Sequence, residues 1–199
     1  LDPMLAALDA EPNIEIRLFN PFRTRAWRSL GLALDFSRLN RRMHNKSFTA
    51  DNQATIVGGR NIGDEYFGAA GDVLFVDLDV LAVGPVVPET SRDFDRYWNS
   101  ASAYPVASLV DTREAEPGGA LAGRAAQLRS QAEAQRYIEA VRSSAFVAQL
   151  NAGQASLEWN PVRLVSDDPA KAAGTARPGD NVAVQLRRLW GKPAHQLDL

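Results

Sequence analysis

The chain has 199 residues, 45% hydrophobic and 23% charged, enough to bury the core of one domain or of one domain and part of another. A formal charge of -2 excludes bulk electrostatic attraction to nucleic acid and leaves only local basic clusters to be read. With no cysteine there is no disulfide framework and no thiolate metal site, and the two histidines, His44 and His195, are too far apart for a zinc motif.

In chain order, Met4 to Leu8 reads as the end of an amphipathic helix. Asn13 to Asn20 alternates, with Ile14, Ile16 and Leu18 on one face, which predicts a strand broken by Pro21. Arg23 to Leu34 interleaves Arg23, Arg25 and Arg28 with Trp27, Leu30 and Leu32, as a short helix or an ordered loop. Phe36 to Met43 leads into a strand around His44 to Thr49. Asp51, Asn52 and Gln53 carry turn chemistry, and Ala54 to Val57 is the next strand, ending at Gly58-Gly59. Val73 to Val83 is a further strand. Val86 to Ser100 reads as a helix that packs Val87, Phe94, Tyr97 and Trp98 inward.

Beyond Ser100 the composition changes. Tyr104 to Ala120 reads as a connector. Leu121 to Leu150 reads as helical, with Tyr137, Ile138, Val141 and Ala145 at helical spacing. Leu157 to Val165 is expected as a short strand, Asp167 to Asp180 as a mobile loop, Asn181 to Trp190 as a helix, and Gln196 to Leu199 as the start of another strand. Strands alternating with helices predict an α/β domain with a mixed sheet. No run reaches the roughly 18 apolar residues of a membrane span, because Asp77, Asp79 and Gly84 interrupt the longest one. The chain opens without methionine inside a helical pattern and stops in a fresh apolar one, so it reads as a piece of a longer protein.

The segment richest in chemistry is Arg41 to Phe67. His44-x-Lys46 is followed after four residues by Asp51, and after six more by Gly58-Gly59-x-Asn61. On a strand, His44 and Lys46 would share a face. A neutral imidazole is a competent nucleophile near pH 7, and a cation and an amide can hold the oxygens of a phosphodiester. Gly58 and Gly59 would let the backbone pass close to the phosphate. Asp51 suits a turn cap or a structural ion pair. Asp77 and Asp79 share a strand face, and one of them, Asp79 before Asp77, is the candidate to orient His44. The alternative is that both cap strand ends or pair with arginines.

These spacings give the full H-x-K-x4-D-x6-G-G-x-N pattern of the phospholipase D superfamily. The flanks NPFRTRAW, FVDLDVLAVGPVVPETSRDFDRYWNS and LEWNPVRLVSDDPAK resemble its cardiolipin synthase C-type branch. The resemblance implies a phospholipase D-like mixed β-sheet flanked by helices, incomplete here, as one half of a two-half fold with one shared site. Residues 1–110 would be the first half without its opening strands. Residues 111–150 would be a helical connector, and 151–199 the end of that half and the start of the next. His195 has no second motif around it.

By resemblance the catalytic residues are His44, Lys46, Asp51, Asn61 and Asp79, with Gly58, Gly59 and Arg42 at the substrate. The implied function is phosphatidyl transfer through a phosphohistidine, with a hydrolase or nuclease of the same superfamily as the alternative and a non-catalytic scaffold as a third reading. No metal or cofactor is expected. The expected partners are phosphatidylglycerol, phosphatidylethanolamine, a membrane surface and the missing half of the chain, but no nucleic acid. The implied address is the bacterial cytoplasmic membrane, peripheral or anchored elsewhere in the protein. Arg38, Arg41 and Arg42, with the Arg23 to Leu34 segment, suit a lipid headgroup interface or a solvated loop. The isolated chain is expected to be inactive as a monomer.

Overall fold

A computed structural model describes residues 2–22, 41–63, 66, 77–111 and 119–191. Expectations for Arg23 to Leu34, Arg38, the opening of the Val73 strand, His195 and Gln196 to Leu199 lie outside the described residues. The chain divides into two compact units, one made of residues 1–15 and 110–161, the other of 16–109 and 162–199.

The second unit holds the sheets. β1 (Arg17–Phe19) pairs with β5 (Ala103–Pro105), and β2 (Ser47–Ala50), β3 (Ala54–Gly58) and β4 (Asp79–Val83) form a three-stranded meander. The α/β class is as expected. Where a mixed sheet was expected, every ladder among the described residues is antiparallel. The β2–β3 hairpin turns at Asp51 and Asn52, both with left-handed φ (51° and 54°), and the Gln53 amide closes it on the Ala50 carbonyl at 2.9 Å. That backbone hand matches the twist of the flanking strands, and Asp and Asn tolerate it better than most residues.

Helix α2 (Val86–Trp98) lies against β2, β3 and β4 and buries Val87, Thr90 and Tyr97. Under it the Thr49 and Thr55 hydroxyls bond across the strands at 2.9 Å, which satisfies a buried polar pair. Phe94 departs from the expected inward packing. It is 52% exposed, and its ring stacks on Trp98 at 5.4 Å.

Three other expectations are corrected. The Asn13 to Asn20 strand shrinks to three residues, because only Arg17–Phe19 meets a partner strand, and that partner, Ala103–Pro105, begins the segment read as a connector. No strand forms over Leu157 to Val165. Close to it, the Ser166 and Asp167 carbonyls accept from the side chains of Gln185 and Tyr97 rather than from a ladder. Asp167 to Asp180, expected as a loop, holds a short helix and a 3-10 turn. The Asp168 carboxylate accepts the Ala170 amide at 2.7 Å at the start of the short helix α6 (Ala170–Ala173), and Gly174, at φ 76°, ends that helix. Asn181 then caps α7 (Val182–Trp190) by accepting the Ala183 amide at 2.8 Å.

The first unit contains α1 (Asp2–Asp9), α3 (Ala120–Arg129), α4 (Ala132–Arg142) and α5 (Ala145–Asn151). The helical reading of Leu121 to Leu150 holds, interrupted at Ser130 and again at Ser143-Ser144. Ser144 starts α5 by accepting the Val147 amide at 3.2 Å. Serine competes with the helix through its own hydroxyl, which explains both breaks.

Candidate functional site

The antiparallel register brings distant residues to one end of the three-stranded sheet. Ser47 pairs with Val57, and Gly58 pairs with Asp79. The start of β2, the end of β3 and the start of β4 therefore meet, and Lys46, Gly58, Gly59, Asp77 and Asp79 converge there. Asp51 sits in the hairpin at the other end, five residues from Lys46, or roughly 17 Å along a strand. The structure thus does not bring Asp51 to this group, in keeping with a turn role.

His44 and Lys46 lie just ahead of the strand rather than on it, since β2 begins at Ser47. The ladder fades at this point. The Gly58 amide reaches the Lys46 carbonyl at 3.4 Å, the outer limit of a useful bond. The Lys46 ammonium turns back to donate to the His44 carbonyl at 2.9 Å. Among the described residues the exposed His44 imidazole makes no hydrogen bond. Arg42 is also exposed and lines a small recess with His44, Phe19, Tyr97 and Lys171.

The two glycines have a use that spacing alone did not reveal. A Cβ on Gly58 would overlap Oδ1 of Asp79, and a Cβ on Gly59 would overlap Oδ1 of Asp77. Their missing side chains make room for two carboxylates over the strand end. Asp79 accepts from Arg60 Nε at 2.6 Å, so arginine pairing, the alternative named from sequence, is what the described contacts contain. Asp77 accepts its neighbour Leu78's amide at 2.9 Å. Asn61 Nδ2 donates to the Tyr66 hydroxyl at 2.9 Å, and Arg60 Nη1 to the Tyr66 carbonyl at 2.5 Å. Arg60 and Tyr66 were missed as members of this end, and no pattern in the sequence marks them as a pair.

A second layer ties the His44 segment to α2 and to residues 163–174. Asn45 Nδ2 donates to Asp93 at 3.4 Å, Ser166 Oγ donates to the same carboxylate at 2.6 Å, and Arg96 pairs with it at 3.5 Å. The Tyr97 hydroxyl donates to the Asp167 carbonyl at 2.8 Å. Burial, then the charges of Asp93 and Asp167, push the Tyr97 phenol up to about 12 against the bonding of Asn45 and the charge of Arg96. Burial would raise the Asp167 carboxyl, but it is held below the usual range by the Lys171 ammonium bonded at 2.5 Å and by the Val182 amide at 2.7 Å. A cleft of about 690 Å³ borders this layer, with Arg92, Arg163, Arg188, Glu89, Asp93 and Asp180 in a lining of mixed charge. Among the described residues no group of three or more histidines or carboxylates could hold a metal ion, and no helix is long and apolar enough to cross a membrane.

The site end thus carries an exposed imidazole two residues along the chain from an ammonium, with Asp77 and Asp79 at the end of the ladder. Such a set can attack and hold a phosphate ester. Compared with known proteins, the chain is 47% identical to cardiolipin synthase C of Escherichia coli (strain K12) over 202 aligned positions, which take in 100% of this chain and 42% of that one. The chain is thus similar to cardiolipin synthase C along its whole length. It is also 43% identical to an uncharacterized protein of Helicobacter pylori (strain ATCC 700392 / 26695), over 51% of this chain and 21% of that protein. It therefore spans less than half the length of either relative. No family model and no solved structure matches.

Proposed function

We propose that the whole protein is a phosphatidyltransferase of the cardiolipin synthase type, and that this chain supplies one of its two H-x-K halves. The observation that carries the reading is the 47% identity to cardiolipin synthase C along the entire chain. The grouping of Lys46, Gly58, Gly59 and Asp79 at one sheet end supports it.

In this mechanism the His44 imidazole attacks the phosphorus of a phosphatidyl donor. A P–N bond forms, the P–O bond to the leaving alcohol breaks, and a general acid from the second half protonates that alcohol. An acceptor hydroxyl, deprotonated by the same group, then attacks phosphorus. The P–N bond breaks and His44 is restored. Lys46 and Asn61 hold the non-bridging oxygens. Asp51 stays in its turn. Arg42, exposed beside His44, contacts the incoming headgroup phosphate. Asp77 or Asp79 orients the imidazole once the second half is in place. With only one half of these groups, the isolated chain is inactive as a monomer. Phosphatidylglycerol and phosphatidylethanolamine are the proposed substrates, at the surface of the bacterial cytoplasmic membrane.

Membrane contact is supported by exposed apolar residues of the second unit that have arginine neighbours in the chain. Val162 (64% exposed), Leu189 and Trp190 (47% exposed) lie close in the chain to Arg163, Arg187 and Arg188. Exposed tryptophan and leucine beside arginine suit the boundary between anionic headgroups and acyl chains.

The test uses the full-length protein with labelled phosphatidylglycerol and phosphatidylethanolamine, followed by mass spectrometry. Cardiolipin made by the wild type and lost in His44→Ala supports the reading. Phosphatidic acid alone would make the enzyme a hydrolase. Turnover of nucleic acid but not lipid would overturn the membrane function.

A further inference from the structure

The segment that carries His44 and Lys46 is weakly held by its own sheet. It precedes the regular ladder, and its backbone bond to β3 is long at 3.4 Å. It also has ties to groups outside the sheet. Upstream, Asn20 Nδ2 donates to the Arg41 carbonyl at 2.9 Å, and the Arg41 guanidinium lies so close to Gly174 that a Cβ there would overlap it. Between the two reacting residues, Asn45 Nδ2 reaches the Asp93 carboxylate on α2 at 3.4 Å.

Asp93 is built into its place. Its side chain is only 14% exposed, on the helix that covers the sheet, and it accepts from Ser166 at 2.6 Å while pairing with Arg96 at 3.5 Å. One carboxylate oxygen holds the returning segment at Ser166 and the other receives Asn45. A carboxylate held in this way offers the motif an acceptor at its midpoint. A misplacement of about 1 Å in a reacting group costs on the order of a hundredfold in rate.

We propose that Asp93 is a positioning residue for His44 and Lys46, acting through the side chain of Asn45, with Ser166 and Arg96 holding Asp93 itself. The inference rests on the proposed roles of His44 and Lys46, and its first readout does not depend on them. In full-length protein labelled with 15N-lysine, the Lys46 amide is assigned with Lys46→Arg. Its order parameter is then compared in wild type, Asn45→Ala, Asp93→Ala and Ser166→Ala. The expected result is a fall from about 0.85 to below about 0.6 in Asn45→Ala and Asp93→Ala, and a smaller fall in Ser166→Ala.

Turnover gives the second readout. The kcat is expected to drop about 10- to 100-fold in Asn45→Ala and in Asp93→Ala with KM within about twofold. The double variant is expected to lose no more than the worse single one, because both changes remove the same bond. Asp93→Asn, which keeps an acceptor oxygen, is expected to recover part of kcat. An unchanged Lys46 order parameter in Asp93→Ala would overturn the proposal, as would full additivity in the double variant. Loosening of Lys46 with normal turnover would overturn the roles given to His44 and Lys46 and leave the brace standing.

Discussion

Replacing Tyr97 with phenylalanine removes one buried hydroxyl and leaves the ring, which packs against Phe19 at 5.3 Å. At neutral pH the change breaks the 2.8 Å bond to the Asp167 carbonyl and costs about 1–2 kcal/mol. The alkaline behaviour is more diagnostic. Burial raises the folded-state pKa to about 12 from the ordinary 10. The unfolded chain gives up this proton first, so the contribution is fully present below about pH 10 and lost as pH rises through 12. Two pH units correspond to about 2.7 kcal/mol. The wild type is therefore expected to be more stable than Tyr97→Phe at pH 7, to lose that advantage between pH 10 and 12, and to fall below the variant beyond it. Urea denaturation of both proteins at matched pH measures the difference directly, and titration of other groups cancels in the comparison. A stability difference that stays constant from pH 7 to 12 would refute the burial argument.

Alanine at two of the glycines is expected to change stability with opposite signs. Gly58→Ala is expected to cost roughly 1–3 kcal/mol by overpacking against Asp79, whereas Gly123→Ala, in helix α3 with open space around it, is expected to gain about 0.5–1 kcal/mol; thermal melts of the two decide it. Lys171→Ala is expected to cost at most about 1 kcal/mol at pH 7, since its ammonium is largely solvated. Because Asp167 is held below its unfolded value, that loss is expected above about pH 4 and to vanish as pH falls through the folded value, which acid denaturation of wild type and variant reads. Trp190→Ala with Arg188→Glu is expected to weaken co-sedimentation of the full-length protein with anionic vesicles by about tenfold, and unchanged binding would remove these residues from the membrane contact.

What was legible in the sequence follows physical range. The hairpin at Asp51-Asn52, the helix from Val86 and the helix after Asn181 were readable because turn chemistry, amphipathic spacing and caps act over a few residues. Strand ends were not, because a strand extends only as far as its partner. Arg17–Phe19 stops where Ala103–Pro105 stops, and their pairing spans more than eighty residues. The site divides in the same way. His44, Lys46, Gly58 and Gly59 stood out by spacing. The space that the glycines make for Asp77 and Asp79, the Arg60–Asp79 pair and the Asn45–Asp93–Ser166 contacts depend on register and helix placement, which no local pattern encodes.

The central claim is that phosphorus is transferred through His44. Full-length protein mixed with a phosphatidyl donor, quenched in alkali within the first turnover and digested, is to be analysed by mass spectrometry of the peptide that contains residues 41–50. A phosphatidyl adduct on the imidazole of His44, absent from His44→Gln and discharged when an acceptor alcohol is added, is the predicted result. An adduct on any other residue, with His44 unmodified while product accumulates, would contradict it.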